Sequence, residues 1–128
     1  MRLLLDTHAL LWSLDGDKRL GPIARSLLAD RANDILVSMA SLWEIALKTQ
    51  AGKLDADIQG ISDMLGRNGV ILLGVSVAHL TTLTGVPRHH KDPFDHLLIA
   101  QAIAENATLM SEDHWMSSYP VPVVSCSA

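Results

Sequence analysis

Strand-length apolar runs alternate with helix-length amphipathic stretches along this chain, and that alternation leaves few folds open. Residues 2–5, 35–37, 70–73 and 108–110 read as buried strands, and residues 121–124 as a last short one. Helices are predicted over residues 7–14, 22–31, 40–51, 57–67, 76–84 and 93–105. Thr7 and Ser38 are reasonable caps, and Pro22 and Pro93 suit first turns. Inward stripes are expected from Leu10, Leu11 and Leu14, from Ile23, Leu27 and Leu28, and from Val77, Leu80 and Leu83. Pro120 and Pro122 place the last strand at a sheet edge. Strands separated by helices predict an α/β fold: a parallel sheet of four to five strands, helices on both faces and right-handed crossovers.

A chain of 128 residues fits one domain. Its residues are 48% hydrophobic, which is ample for a packed core and rules out wholesale disorder. Only 4% are aromatic, so Leu, Ile, Val and Ala must build that core. The lone cysteine, Cys126, excludes an internal disulfide and a thiolate metal site. The apolar start is interrupted by Asp6 and His8, and is too short and polar for a signal peptide or membrane span. A reduced, soluble, cytoplasmic protein is expected. A net charge of −4 argues against nonspecific basic binding to nucleic acid, though not against an enzyme that holds nucleic acid locally.

In such sheets, ligands bind beyond the carboxyl ends of the strands. Asp6 ends the first predicted strand, and Glu44 lies within two turns of the start of the helix after the second. Asp92 and Asp95 open the helix at Pro93, and Asp113 follows the fourth strand by three residues. Each has an ordinary alternative. Asp6, Asp92 and Asp113 suit helix caps, Asp95 suits a helix's first turn, and Glu44 suits a salt bridge. Glu44 sits among Leu42, Trp43, Ile45, Ala46 and Leu47, where a carboxylate is usually partnered. Together, acids from four segments converge on one sheet edge. Two carboxylates about 4 Å apart repel by roughly 4 kcal/mol at an effective dielectric near 20. Such a cluster must protonate or take up a cation, and an all-oxygen donor set favours Mg²⁺ or Mn²⁺ over Zn²⁺. Magnesium commonly bridges to phosphates, which points to phosphate or phosphodiester chemistry.

The stretches LLLDTHALLW, SMASLWEIALKTQAGKL, HHKDPFDHLLIAQA and TLMSEDHWMSSYP occur in that order over nearly the whole chain. In this they resemble the PIN-domain family, and more closely the VapC ribonuclease toxins of bacterial toxin–antitoxin pairs. The resemblance implies a single three-layer PIN domain over residues 1–128 and a metal-dependent endoribonuclease. Asp6, Glu44, Asp95 and Asp113 match the acidic metal positions, which would hold Mg²⁺ or Mn²⁺. Asp92 matches the DPFD form of the third motif, as a helix cap or a group behind the ligands. Ser111 fits the Ser or Thr that precedes the fourth acid. Glu112 competes with Asp113 for the inward position, and motif register favours Asp113. The resemblance further implies an RNA substrate, an antitoxin bound across a groove of early helices, and a homodimer.

Around these acids, Thr7 and His8 are candidates to contact substrate or support the acids. Arg88 and Lys91 flank His89 and His90 in a basic loop that would hold RNA phosphates or simply be solvated. Lys48, one helical turn beyond Glu44, can pair with it or with a phosphate. Trp12 and Trp43 are expected in or beside the core, and Trp115 near the site as a stacking candidate. The competing reading is a non-catalytic PIN-like domain that binds RNA or protein. An inactive copy has no reason to keep a repulsive cluster. Aspartyl-phosphate phosphatases and receivers fit poorly, because His8 stands where the first needs Asp and Ser38 follows the second strand.

Overall fold

A computed structural model describes residues 1–88, 92–113, 116 and 118–128. The strands are β1 (Arg2–Leu5), β2 (Asp34–Ser38), β3 (Ile71–Leu73), β4 (Thr108–Met110) and β5 (Val123–Val124). The helices are α1 (Thr7–Asp15), α2 (Pro22–Ala29), α3 (Met39–Gln50), α4 (Ile58–Arg67), α5 (Val77–Gly85) and α6 (Pro93–Ala104). The strands form one sheet in the order β3-β2-β1-β4-β5, every pairing parallel.

Alternation along each strand feeds two cores. Leu4, Leu36 and Leu109 point to one face and pack with Leu98, Ile99 and Ala102 of α6. Leu5, Val37 and Met110 point to the other and meet Leu10 of α1 and Leu42 and Ile45 of α3. At β1, β2 and β4 both faces are covered, which is why they read as unbroken apolar runs, whereas β3, read as buried, is an edge strand with Ile71 and Leu72 exposed. From β1 the sheet grows one way through β2 and β3, then the other way through β4 and β5. The order therefore reverses between β1 and β4, and a crevice opens beyond their carboxyl ends.

Several expectations need correcting. The cap of α1 is Asp6, whose side chain accepts the Ala9 N–H, and Thr7 is the first helical residue. An acidic oxygen satisfies an N-terminal donor as well as a hydroxyl does. On α2, Ile23 is exposed and Ala24 is buried. On α5, Val77 is 80% exposed and Leu80 is also exposed, whereas His79 is buried. Of the expected stripe only Leu83 packs against the core, and a hydrogen-bond network around His79 supplements it. Trp43 is exposed, with its ring edge-on to Phe94 at 5.2 Å between centroids. Trp12 packs beside the core under the Arg19 guanidinium, 4.6 Å from its ring centroid. The last strand spans only two residues, at the sheet edge as the prolines require. Among the described residues, no helix is long and apolar enough to cross a membrane.

Candidate functional site

Asp6 leaves β1 at the crevice. Its backbone N–H donates to Met110 O at 3.0 Å, so the chain continues the β1–β4 ladder for one more residue before turning into α1. Its carboxylate accepts the Ala9 N–H at 2.7 Å and a hydrogen bond from the Ser111 hydroxyl. Burial nevertheless dominates. Asp6 is 4% exposed, and desolvation raises its pKa above the ordinary carboxylate value despite those donors. Ser111 also accepts the Asp113 N–H at 3.0 Å. One buried hydroxyl thus joins the acid after β1 to the acid after β4.

Glu44 reaches the same crevice from α3. The Thr7 hydroxyl donates to its Oε1 at 2.5 Å, and Lys48 Nζ stands 3.1 Å from its Oε2. The partner that an acid in this apolar context demands is therefore a threonine and a lysine. The i,i+4 spacing anticipates Lys48. Thr7 lies 37 residues away and carries no local signal.

The third element is α6. Asp92 caps it, accepting the Phe94 N–H at 2.9 Å and the Asp95 N–H at 3.4 Å. Asp95 follows in the first turn. Its pKa is pushed up to about 7, first by burial and then by the charges of Asp92, Asp6, Asp113 and Glu44. Asp95 thus experiences every other acid of the crevice.

Asp6, Glu44, Asp95 and Asp113 line one cavity of about 310 Å³, and Asp92 lines it with them. Thr7, His8 and Lys48 line it as well. Glu112 reaches its edge, but the Glu112 carboxylate accepts from the Ser125 hydroxyl and from the Ser127 N–H at 3.0 Å. Those donors hold it below the ordinary carboxylate value, with the Ser125 hydroxyl the largest influence. Arg88 is exposed and does not line this cavity. Lys91, His89, His90 and Trp115 lie outside the described residues. Among the described residues, no three His, Cys, Asp or Glu side chains already close around a single ion-sized point. A larger cavity, about 760 Å³, lies between α1, α2 and α4, where Leu14, Leu28, Met64, Arg31 and Arg67 line it.

The PIN domain family model matches residues 3–121. The chain belongs to the PIN domain family. No curated protein matches it. Among solved structures, this PIN domain is similar to VapBC2 from Rickettsia felis bound to a promoter DNA fragment, with a TM-score of 0.76 at 21% identity over 98% of both chains. It is similar to VapBC-1 from nontypeable Haemophilus influenzae, with a TM-score of 0.70 at 15% identity over 100% of both chains. A third likeness is to DNA-bound VapBC from Salmonella typhimurium, with a TM-score of 0.67 at 13% identity over 98% of both chains. At these identities the likeness is one of fold. In this PIN domain the crevice at the β1/β4 reversal is where the acids gather.

Proposed function

We propose that this PIN domain, acting as one unit over residues 1–128, is a metal-dependent endoribonuclease and the VapC-like toxin of a cytoplasmic toxin–antitoxin pair. The observation that carries the reading is the meeting of Asp6, Glu44, Asp95 and Asp113, from four separate segments, in one cavity. The donor set is all oxygen, and the cavity leaves room for water around a cation. Both suit Mg²⁺ or Mn²⁺, which keeps several waters and takes few protein carboxylates. The pKa of Asp95 is raised first by burial and then by the charges of Asp92, Asp6, Asp113 and Glu44, and a cation among these acids would favour their ionised forms. The residues therefore fit a hard divalent cation, with Asp6, Glu44, Asp95 and Asp113 to hold it. A cation held there would supply a lowered pKa for bound water and offset charge on a phosphoryl group.

The chain's own residues supply the positioning. Thr7 and Lys48 fix both oxygens of Glu44. Ser111 holds Asp6 and the backbone of Asp113 in one register. Asp92 caps α6 and so sets the direction from which Asp95 enters. Hydrolysis by water at this site leaves 5′-phosphate and 3′-hydroxyl ends and needs no histidine pair.

The VapBC complexes from Rickettsia felis and Haemophilus influenzae, similar in fold, support an antitoxin partner. The groove between α1, α2 and α4, lined by Leu14, Leu28 and Met64 together with Arg31 and Arg67, is the surface offered to it. Met39, Trp43 and Leu47, exposed along one flank of α3, support a homodimer. The deciding experiment incubates structured RNA with the protein and Mg²⁺ or Mn²⁺. Cleavage that stops on chelation and is absent in Asp6→Ala supports the reading. Binding of RNA or an antitoxin peptide without cleavage by the wild type would instead establish the non-catalytic alternative.

A further inference from the structure

Lys48 is the one Lys or Arg among the described residues lining the acid cavity. Its ammonium contacts Glu44 Oε2 at 3.1 Å, from a side chain that is 40% exposed, whereas the Glu44 side chain is only 12% exposed. The two ends of this ion pair are therefore unlike. Glu44 is fixed: the Thr7 hydroxyl, on a residue that is itself buried, holds its other oxygen at 2.5 Å. Lys48 is a point charge on a flexible four-carbon stem that lines the cavity and is partly exposed to water. A partly exposed i,i+4 pair of this kind contributes little to stability, so parting it costs little. A divalent cation among the acids would compete with the ammonium for the charge on Glu44. Once that charge is taken, the ammonium is repelled by the cation and faces the opening, where an anion is its best partner.

We propose that Lys48 is a substrate-binding residue: its ammonium, paired with Glu44 in this structure, moves to a non-bridging phosphate oxygen of the RNA backbone when the acids take up a divalent cation. The inference rests on the metal-dependent nuclease reading above and names a further residue of that same site. The chemistry suits the task. A phosphodiester carries a single negative charge that a compact ammonium neutralises without demanding a planar geometry. Thr7 keeps Glu44 oriented after the lysine has left. The pair therefore works as an exchange of partners, in which the metal takes the carboxylate and the substrate takes the ammonium.

This exchange predicts a loss in cleavage with no loss in metal affinity, which a lysine that merely braces Glu44 would not give. The test compares wild type, Lys48→Gln and Lys48→Arg, with Mn²⁺ affinity measured by calorimetry and steady-state cleavage measured on one labelled RNA hairpin. Removing a competing positive charge leaves the acids more negative, so Mn²⁺ should bind Lys48→Gln as tightly as wild type or up to about tenfold more tightly. The same variant should lose about tenfold or more in kcat/KM, mainly through KM, because a phosphate contact made in the bound state is gone. Lys48→Arg, which keeps the charge, should recover most of that loss. Weaker Mn²⁺ binding in Lys48→Gln, or unchanged cleavage beside active wild type, would overturn the proposal. Absence of metal-dependent cleavage by the wild type itself would instead overturn the nuclease reading, and the Mn²⁺ titration would still report on Lys48 and Glu44.

Discussion

The Thr7 hydroxyl donates to Glu44 Oε1 at 2.5 Å, and so fastens the first turn of α1 to the middle of α3 across 37 residues of sequence. Thr7 is buried, so water is poorly placed to replace it. Thr7→Val keeps the shape and removes the donor. Hydrogen bonds to charged groups contribute about 1.5–3 kcal/mol, and Lys48 still holds the other oxygen, so a loss of about 1–2 kcal/mol is expected. Thr7→Ser should restore most of it. Urea unfolding of the three proteins without metal checks this, and equal midpoints for Thr7→Val and wild type would show that the bond is not stabilising.

The acid cavity should give the metal-free protein an unusual pH profile. Asp95 moves from an ordinary value of 3.8 to about 7 on folding, chiefly through burial and then through the charge of Asp92. A carboxyl with a raised folded pKa binds its proton more tightly in the folded chain than in the unfolded one. Its favourable contribution is complete below about pH 4 and is lost as pH rises toward 7. Asp6, raised by burial, acts in the same direction. At about 1.4 kcal/mol per pH unit, and allowing for screening by water in an open cavity, Asp95 should account for roughly 2 kcal/mol. Thermal midpoints in chelator should fall from pH 4.5 to 7.5, and Asp95→Asn should flatten the fall. At pH 7.5 that variant should be as stable as wild type or more stable. A loss above about 2 kcal/mol there would mark the Asp95 carboxylate as a structural partner in the first turn of α6.

Much of this was legible in the sequence, for physical reasons that also mark where it stopped being so. The strand ends were legible because a polar residue must follow an apolar run that is buried on both faces, and Asp6 does so directly. The parallel pairing was legible in the strand–helix alternation, but the strand order that sets β4 beside β1 and opens the crevice was not. Side-chain partners remote in sequence were not legible. Thr7 has the composition of a cap, and only the docking of α3 on α1 turns its hydroxyl toward Glu44. On α5 the apolar stripe was right for Leu83 and misled for Val77 and Leu80, because periodicity weighs apolar residues alone. His79 is the buried member of that helix, since Glu105, 26 residues later, supplies its polar partner.

Metal should stabilise the protein, and the variant chosen to test this matters. Saturation at about a hundred times Kd should add about 2.7 kcal/mol. Asp6 both lines the cavity and caps α1. Asn is as good a cap as Asp, so Asp6→Asn should keep α1 intact while abolishing the Mg²⁺- or Mn²⁺-induced rise in midpoint. Asp6→Ala should also lose the rise, and in addition about 1 kcal/mol of metal-free stability through the missing cap. A full metal shift in Asp6→Asn would exclude this carboxylate from the site.

The attachment of α5 rests on polar contacts around His79 as well as on the packing of Leu83. His79 Nε2 meets Glu105 Oε2 at 2.7 Å, while its Nδ1 accepts the Ser76 N–H at 3.0 Å and faces Gln101 Nε2 at 3.3 Å. Glu105 Oε1 is held in turn by Arg2 Nη2 at 2.9 Å. With Nδ1 accepting, the proton belongs on Nε2, where it donates to the carboxylate. His79→Leu fills the space but strands three polar partners, at an expected cost of about 2–4 kcal/mol. The damage should also be local. Val77 and Leu80 are exposed and leave α5 little apolar burial, so its amides should exchange hydrogen far faster in the variant than the amides of α3, which Leu42 and Ile45 anchor in the core. Hydrogen exchange with the two helices compared in one sample decides it: equal acceleration in both would mean global loosening and no special dependence of α5 on His79.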